Sequence, residues 1–220
     1  MERFVELIYE ELLPDIEVRS LDPHDPVVVS ELPKPWKTIG RGNYAAVVVH
    51  PDYPDRVVKL YAPGRDGWEE EVEVYRRLGR HEAYSECLHS DKDREFLVLK
   101  RLYGKTLYEC VLQGVRIPKR VIEDIDEALD YARERGLNPH DVHGKNVMMT
   151  SDGHGVVVDV SDFLKPEPCN MWRDMKRAYH RIYVPFLHDR PVAIPSSLMN
   201  GVRKGYRFFR KSRRLWGSDS

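Results

Sequence analysis

The sequence predicts an α+β fold, and three observations carry the prediction. Short β-branched runs between Gly and Pro turns crowd the first half. A long segment with apolar residues at helical spacing follows. After it come the polar string Asp141-Val142-His143-Gly144-Lys145-Asn146 and the run Val156-Val157-Val158-Asp159. At 220 residues the chain fits one domain, or two small lobes sharing a cleft, and can bury a sizeable core. Hydrophobic residues at 41% and charged residues at 32% mark a globular chain and not a disordered one. A net charge of −1 selects no partner. Cys87, Cys110 and Cys169 are odd in number and far apart, which argues against a disulfide framework or zinc site and for a reducing compartment. The start Met1-Glu2-Arg3-Phe4-Val5-Glu6 has acids where a secretory signal needs a basic start and an apolar run. No stretch is long enough to span a bilayer, so a cytoplasmic protein without a transmembrane segment is expected.

Taken in order, Phe4, Val5, Ile8, Leu12 and Leu13 predict a short amphipathic helix ended by Pro14. Leu21 to Lys37 carries Pro23, Pro26, Pro33 and Pro35 and reads as an extended connector. Ala45 to Val49 and Arg56 to Tyr61 are β-branched runs and read as a hairpin. Trp68 to Leu78 has Val72, Tyr75 and Leu78 at helical spacing and stops at Gly79. Phe96-Leu97-Val98-Leu99 is a buried strand running into Lys100-Arg101-Leu102-Tyr103-Gly104. Ile122, Ile125, Leu129 and Ala132 mark one face of a helix over Val121 to Arg135, with Gly136 as its stop. A brief hairpin-like stretch separates Asn146 from Asp159, and Trp172 to Tyr183 reads as a helix.

The chemistry-bearing residues fall into two groups. Asp141, with Asn146 five positions on and Asp159 at the end of an apolar run, suits a proton acceptor and two oxygen ligands for Mg²⁺ around a transferring phosphoryl group. Upstream, Gly40 and Gly42 sit at a strand turn where missing Cβ atoms let backbone N–H groups approach phosphate oxygens, although such turns are commonly just hairpin turns. Lys59 lies between Val58 and Leu60 in a strand, where a surface lysine is the bland reading. Glu69, Glu70, Glu71 and Glu73 open the next helix and would in any case favour its dipole. Glu71 is the best partner for Lys59, with Glu70 as the second choice, because a Lys held by a Glu keeps its charge while gripping phosphates.

This order of Gly-rich turn, strand Lys, helix Glu, apolar strand with connector, Asp141 to Asn146 and Asp159 resembles the protein-kinase-like superfamily from about Ile39 to Leu187. In particular His140-Asp141-Val142-His143-Gly144-Lys145-Asn146 is similar to the His-Gly-Asp-x-His-x-x-Asn form of aminoglycoside-phosphotransferase-like and other small atypical kinases. Compact bacterial serine/threonine kinases share this look. The resemblance implies a two-lobed protein-kinase-like fold with a reduced C-terminal lobe. Residues 1–37 would form a helix and connector, 38–102 the N-lobe, and 103–220 the helical C-lobe.

It also implies ATP and Mg²⁺ as cofactors. Asp141 would orient the acceptor hydroxyl and take its proton, Asn146 and Asp159 would hold Mg²⁺, and Lys59 with Glu71 would position the phosphates. Val47, Val57, Leu99, Met148 and Val158 would line an adenine pocket beside backbone groups of Lys100 and Leu102, though core packing is an equally natural use of them. Asp174 with Ala178 resembles the helix whose Asp anchors the catalytic loop, against a plain surface carboxylate.

Departures from the family pattern are specific. Ala45 replaces the third glycine. Pro139 and His140 stand where the family has a His or Tyr and an Arg, so switching through an arginine contact to a phosphorylated segment is not expected. His143 replaces a lysine and is read as either a γ-phosphate contact or a loop cap. Asp159-Val160-Ser161 replaces Asp-Phe-Gly, which removes backbone freedom from the metal loop, and no Ala-Pro-Glu follows.

The C-terminal stretch from Val202 to Arg214 interleaves Arg and Lys with Tyr206, Phe208 and Phe209. It reads as a solvated helix face, or as a site for an acidic protein, nucleic acid or anionic lipid. The leading functional expectation is Mg·ATP-dependent transfer to a protein Ser/Thr hydroxyl. The alternatives are a small-molecule hydroxyl acceptor and a nucleotide-binding pseudokinase scaffold, which would have no need of a proton acceptor at Asp141.

Overall fold

The computed structural model describes residues 1–22, 25–201 and 204–205. Pro23 and His24 of the connector, and most of the basic stretch from Val202 to Arg214, lie outside the described residues. The chain opens with helix α1 (Glu2–Leu7), whose axis continues through a wider turn over Ile8–Leu12. There the Leu13 N–H bonds the Ile8 carbonyl at 2.9 Å, one residue further back than in an α-helix. The connector read as extended contributes β2 (Val28–Val29), which forms a short antiparallel ribbon with β1 (Val18–Arg19) just before it.

Next come β3 (Lys37–Arg41), β4 (Ala45–Val49), β5 (Arg56–Tyr61), α2 (Trp68–Leu78), β6 (Cys87–Asp91) and β7 (Phe96–Lys100). The five longer strands form one antiparallel sheet in the order β3-β4-β5-β7-β6. The edge strand β6 was not anticipated, because Cys-Leu-His-Ser-Asp has almost none of the β-branched signature of its neighbours.

Period-2 alternation divides this sheet cleanly. Ala46 opposes Leu60, Val48 opposes Val58, and Val58 and Leu60 oppose Val98 and Phe96. These residues pack with Phe4, Ile8, Leu12 and Trp36, so the N-terminal helix covers the outer face of the sheet. The alternate positions Ala45, Val57, Tyr61, Leu97 and Leu99 pack with Val74, Tyr75 and Leu78 of α2 and with the C-terminal half of the chain. Gly79 takes φ +62°, a left-handed value that an L side chain adopts at a cost, and ends α2.

The second half holds β8 (Lys105–Thr106), α3 (Leu107–Gln113), α4 (Lys119–Glu134), β9 (Val147–Met149), β10 (Gly155–Val157), α5 (Met171–Ala178) and α6 (Val184–Phe186). Thr106 and Glu109 cap α3 reciprocally. The β9–β10 hairpin is the stretch expected between Asn146 and Asp159, and β8 pairs with its β9 edge. Helix α4 lies so close to the hairpin that a Cβ on Gly155 would stand 2.3 Å from the Val121 carbonyl oxygen. The two halves are stitched where Val157 donates to the Ala83 carbonyl at 2.8 Å.

The helix expected over Trp172 to Tyr183 is α5, a wider turn over Tyr179–Tyr183, and α6. Its tethers are Asp126, which accepts from Trp172 Nε1 at 2.7 Å and Lys176 Nζ at 2.8 Å, and the Tyr179 and Tyr183 hydroxyls on the Ile117 backbone. Asp174 lies 3.5 Å from Arg177 of its own helix, and Ala178 is exposed. Among the described residues no helix is long and apolar enough to cross a membrane.

Because Ile8 is fully buried against the sheet, Ile8→Ala is expected to lower the unfolding free energy by about 2–5 kcal/mol, the cost of a core cavity. Denaturant unfolding measures this. An unchanged midpoint would mean that the helix does not complete the core.

Candidate active site

Strand β5 delivers Lys59 to the inner face of the sheet, opposite Val47 on β4 and Leu97 on β7. Its Nζ lies 2.8 and 2.6 Å from the two oxygens of Glu71 and 3.5 Å from Asp159 Oδ1. Glu71 is 0% exposed and sits in the first turn of α2, whereas Glu69 and Glu70 point to solvent. Glu71 is therefore the partner of Lys59, and the helix N-terminus adds a favourable dipole.

Burial works against the Lys59 charge, but Asp159 and then Glu71 outweigh it and hold the ammonium above its ordinary range. Burial likewise pushes Asp159 upward. Lys59 and the Ser161 N–H and hydroxyl, 3.2 and 2.8 Å from Oδ1, outweigh it and leave that carboxyl below the usual value. Burial raises Glu71 above its ordinary value although Lys59 opposes this, while Asp159 is held below, so the charge that suits a divalent cation at the cleft is that of Asp159.

The loop leading into β9 holds the second group. Asp141 has φ +56°, a left-handed value that Asp and Asn tolerate better than most residues. Asn146 Nδ2 donates to the Asp141 carbonyl at 3.0 Å, which turns Oδ1 outward as a potential ligand. Asn146 O in turn accepts from Val158 N at 2.9 Å, tying the loop to the residue before Asp159. His143 Nδ1 accepts the Lys145 N–H at 3.3 Å, which leaves Nε2 on the side facing Asp141 Oδ2, 3.8 Å away. Burial raises the Asp141 carboxyl above its ordinary range; His143 opposes this, and Asp162 and Asp159 add to it. A carboxylate raised in this way is a better proton acceptor.

Gly40 lies in β3 beside a register shift, opposite Val47. Neither Gly40 nor Gly42 has a left-handed φ, and a Cβ on either would make only ordinary contacts, at 3.7 Å to Val47 and 3.8 Å to the Ala45 carbonyl oxygen. The fold itself does not demand glycine at these two positions, so the bare backbone is free to serve a ligand. The Gly42 N–H is already used, however, bonding the Ala45 carbonyl at 2.9 Å.

Val57 and Leu99 are buried opposite one another, and half-buried Val47 packs against the same core. Met148 opposes Val156 and Thr106 in the lower sheet, and Val158 is half-buried just before Asp159. The Lys100 backbone, expected at the connector, already donates to the Glu86 carbonyl at 2.9 Å and accepts from Ser85 Oγ at 2.6 Å. Leu102 follows, half-buried, between β7 and β8.

Three contributors were not singled out from the sequence. Tyr61, two residues after Lys59 and so on the same strand face, donates its hydroxyl to Glu71 Oε2. Ser161 braces Asp159. Asp162 pairs with Lys165 at 2.9 Å and lies 3.8 Å from His140. The i+2 spacing could have flagged Tyr61; the other two depend on a loop conformation.

A sheet lysine paired to a buried helix glutamate and reaching an Asp that follows β10 joins the two halves of the α+β fold at one polar site. The chain is 32% identical over 146 residues to "Putative serine/threonine-protein kinase YrzF" of Bacillus subtilis, covering 66% of this chain and 62% of that protein. It is 25% identical over 170 residues to the dual serine/threonine and tyrosine protein kinases of Takifugu rubripes and Mus musculus, covering 69% of this chain but 18% of each of them. No protein-family profile matches. These likenesses support a protein-kinase-like family for the chain. The chain spans less than two thirds of the length of these relatives.

The Asp141 environment has a consequence for stability. The folded carboxyl keeps its proton to a higher pH than the unfolded one, so ionisation weakens the fold as pH rises through the ordinary carboxylate range to the raised folded value. Asp141→Asn, which also suits the left-handed backbone, is expected to unfold at equal or slightly higher denaturant concentration than the parent at pH 7, with the difference closing in acid. The half-exposed side chain keeps the effect small. Clear destabilisation of the variant at neutral pH would contradict this.

Proposed function

We propose that the chain is an ATP- and Mg²⁺-dependent phosphotransferase acting on serine or threonine hydroxyls of a protein. The observation that carries this reading is the Lys59 ammonium, 2.6 to 2.8 Å from the buried Glu71 and 3.5 Å from Asp159, on the same side of the sheet as Val57 and Leu99. The name of the Bacillus relative supports the Ser/Thr acceptor.

In this reading residues 38–102 grip the nucleotide, 103–220 carry the catalytic loop, and 1–37 brace the sheet. Val47, Val57, Leu99, Met148 and Val158 sandwich the adenine, and Leu102 offers backbone groups to its edge. Lys100 contributes less, since its peptide groups are already bonded. Gly40 and Gly42 let the loop backbone close over the phosphates, and Lys59, aimed by Glu71, holds them. Asn146 Oδ1 and Asp159 supply two oxygens for Mg²⁺, which ordinarily takes one or two protein ligands and completes its shell with phosphate oxygens and water. When bound, Mg²⁺ neutralises charge on the phosphates. Asp141 orients the acceptor hydroxyl and takes its proton as the new O–P bond forms and the bridging bond to the leaving diphosphate breaks. His143, its Nε2 toward Asp141, steadies that carboxylate. The three free cysteines suit a reducing, cytoplasmic setting.

The test is transfer of labelled γ-phosphate from ATP with Mg²⁺ to the protein itself and to a generic basic protein. Label is expected on Ser/Thr in the parent and none in Asp159→Ala. Asp141→Asn should lower kcat by about a hundredfold to ten-thousandfold, the worth of a general base, with ATP binding retained. Label appearing only on small hydroxylated molecules would reassign the acceptor. Metal-dependent ATP binding without any transfer would replace the enzyme with a nucleotide-binding scaffold.

A further inference from the structure

Tyr61 has no place in the reading above, yet its hydroxyl is aimed at the most deeply buried charge in the cleft. It leaves β5 two residues after Lys59 and therefore on the same face of the sheet. It is buried, and the residue opposite it on β4 is the small Ala45, which leaves room for the ring. The hydroxyl donates to Glu71 Oε2, the oxygen that also takes the shorter of the two Lys59 contacts. The Lys59 ammonium lies 5.7 Å from the centre of the Tyr61 ring. Glu71 thus has two donors on one strand, one charged and one neutral.

They differ in how committed they are. The Lys59 ammonium is shared with Asp159 and, in the proposed function, with nucleotide phosphates, whereas the Tyr61 hydroxyl bonds Glu71 alone among the described hydrogen bonds. We propose that Tyr61 is a positioning residue that holds Glu71 in place when Lys59 turns toward a nucleotide, so that Lys59 keeps its aim without leaving a buried carboxylate oxygen unpaired. This inference rests on the phosphotransferase reading. Burial of the Tyr61 ring keeps its hydroxyl protonated far above neutral pH, so the donor is always available. Other groups bearing on Glu71 are Asp159 from across the cleft, Tyr75 on its own helix and Cys87 on β6. Of these tyrosines, only Tyr61 has a hydrogen bond to Glu71 among the described contacts.

Tyr61→Phe removes the hydroxyl and keeps the ring, its packing and its face toward Lys59. Tyr75→Phe is the control, deleting a hydroxyl from the same core. Two measurements are made on the full chain. The first is denaturant unfolding of Tyr61→Phe, Glu71→Gln and the double variant. The Tyr61 change is expected to destabilise the parent and to cost clearly less in the Glu71→Gln background, because the charge-assisted part of the bond is then already gone. The second is Mg·ATP affinity and steady-state kinetics. Tyr61→Phe is expected to weaken Mg·ATP binding about tenfold, the low end of what a hydrogen bond to a charged group is worth, raising KM with kcat nearly unchanged. Tyr75→Phe should bind as the parent does.

Strictly additive unfolding effects would overturn the link between Tyr61 and Glu71. Unchanged Mg·ATP affinity in Tyr61→Phe, with an active parent, would overturn the positioning role and leave the phosphotransferase reading standing. A parent that binds no Mg·ATP would overturn that reading and the positioning role with it, while the unfolding cycle still reports on the hydrogen bond.

Discussion

Burying Glu71 completely would be prohibitive without a partner, because a carboxylate removed from water loses hydration that only a well-placed cation and hydrogen bonds replace. Lys59 supplies the cation, and it can do so only if β5 and the first turn of α2 are held at one separation. That requirement runs outward through the N-terminal half. Helix α2 is pinned by Trp68, Val74, Tyr75 and Leu78 against the inner face of the sheet. The sheet is held flat against α2 because its other face is filled by Phe4, Ile8 and Leu12. The N-terminal helix, remote from the cleft, therefore helps set the distance between a lysine and a glutamate.

The second half meets the same ion pair through Asp159. It follows β10, and β10 is fixed twice: by the close approach of α4 at Gly155 and by the hydrogen bond from Val157 to Ala83 just beyond α2. The contact from Lys59 to Asp159 is thus made between two frameworks that are joined next to it. Asn146 extends the same framework to Asp141, accepting from Val158 with its backbone and donating to the Asp141 carbonyl with its side chain. Four side chains that are up to a hundred residues apart in sequence share one short path of backbone contacts.

Much of this was legible in the sequence where burial is periodic. Strands over 45–49, 56–61 and 96–100 alternate or run apolar, helices over 68–78 and 119–134 carry apolar residues at helical spacing, and the glycines at 79 and 136 mark their ends. The pairing of Lys59 with Glu71 in preference to Glu70 could be reasoned because only one of three successive acids faces inward from a helix. What was not legible depends on partners that leave no local mark. Strand β6 is recruited by β7 and not by its own propensity, and the Val18–Val28 ribbon hides in a proline-containing segment. The Lys100 peptide read as open, but Ser85 and Glu86 reach it from the segment just before β6. Tyr61 read as an ordinary strand aromatic, since sequence alone cannot say where a hydroxyl points. The segment over Trp172 to Tyr183 read as one helix, and the wider turn over Tyr179–Tyr183, with its two buried tyrosines, leaves no mark in the sequence.

The departures from the wider family pattern share a physical direction. Where a glycine would let the loop after Asp159 swing, Ser161 binds the Asp159 carboxylate with both its N–H and its hydroxyl. Where an arginine would wait for a phosphorylated partner, His140 lies near Asp162, which is itself held by Lys165. At the top of the cleft, Glu71 is held from one strand by two donors. The Ser161–Asp159 and Asp162–Lys165 contacts are completed within a few residues of chain, where the family pattern has contacts that another event must complete. Local contacts of this kind need no ordering step, so the entropic cost of arranging the site is met during folding and not on binding.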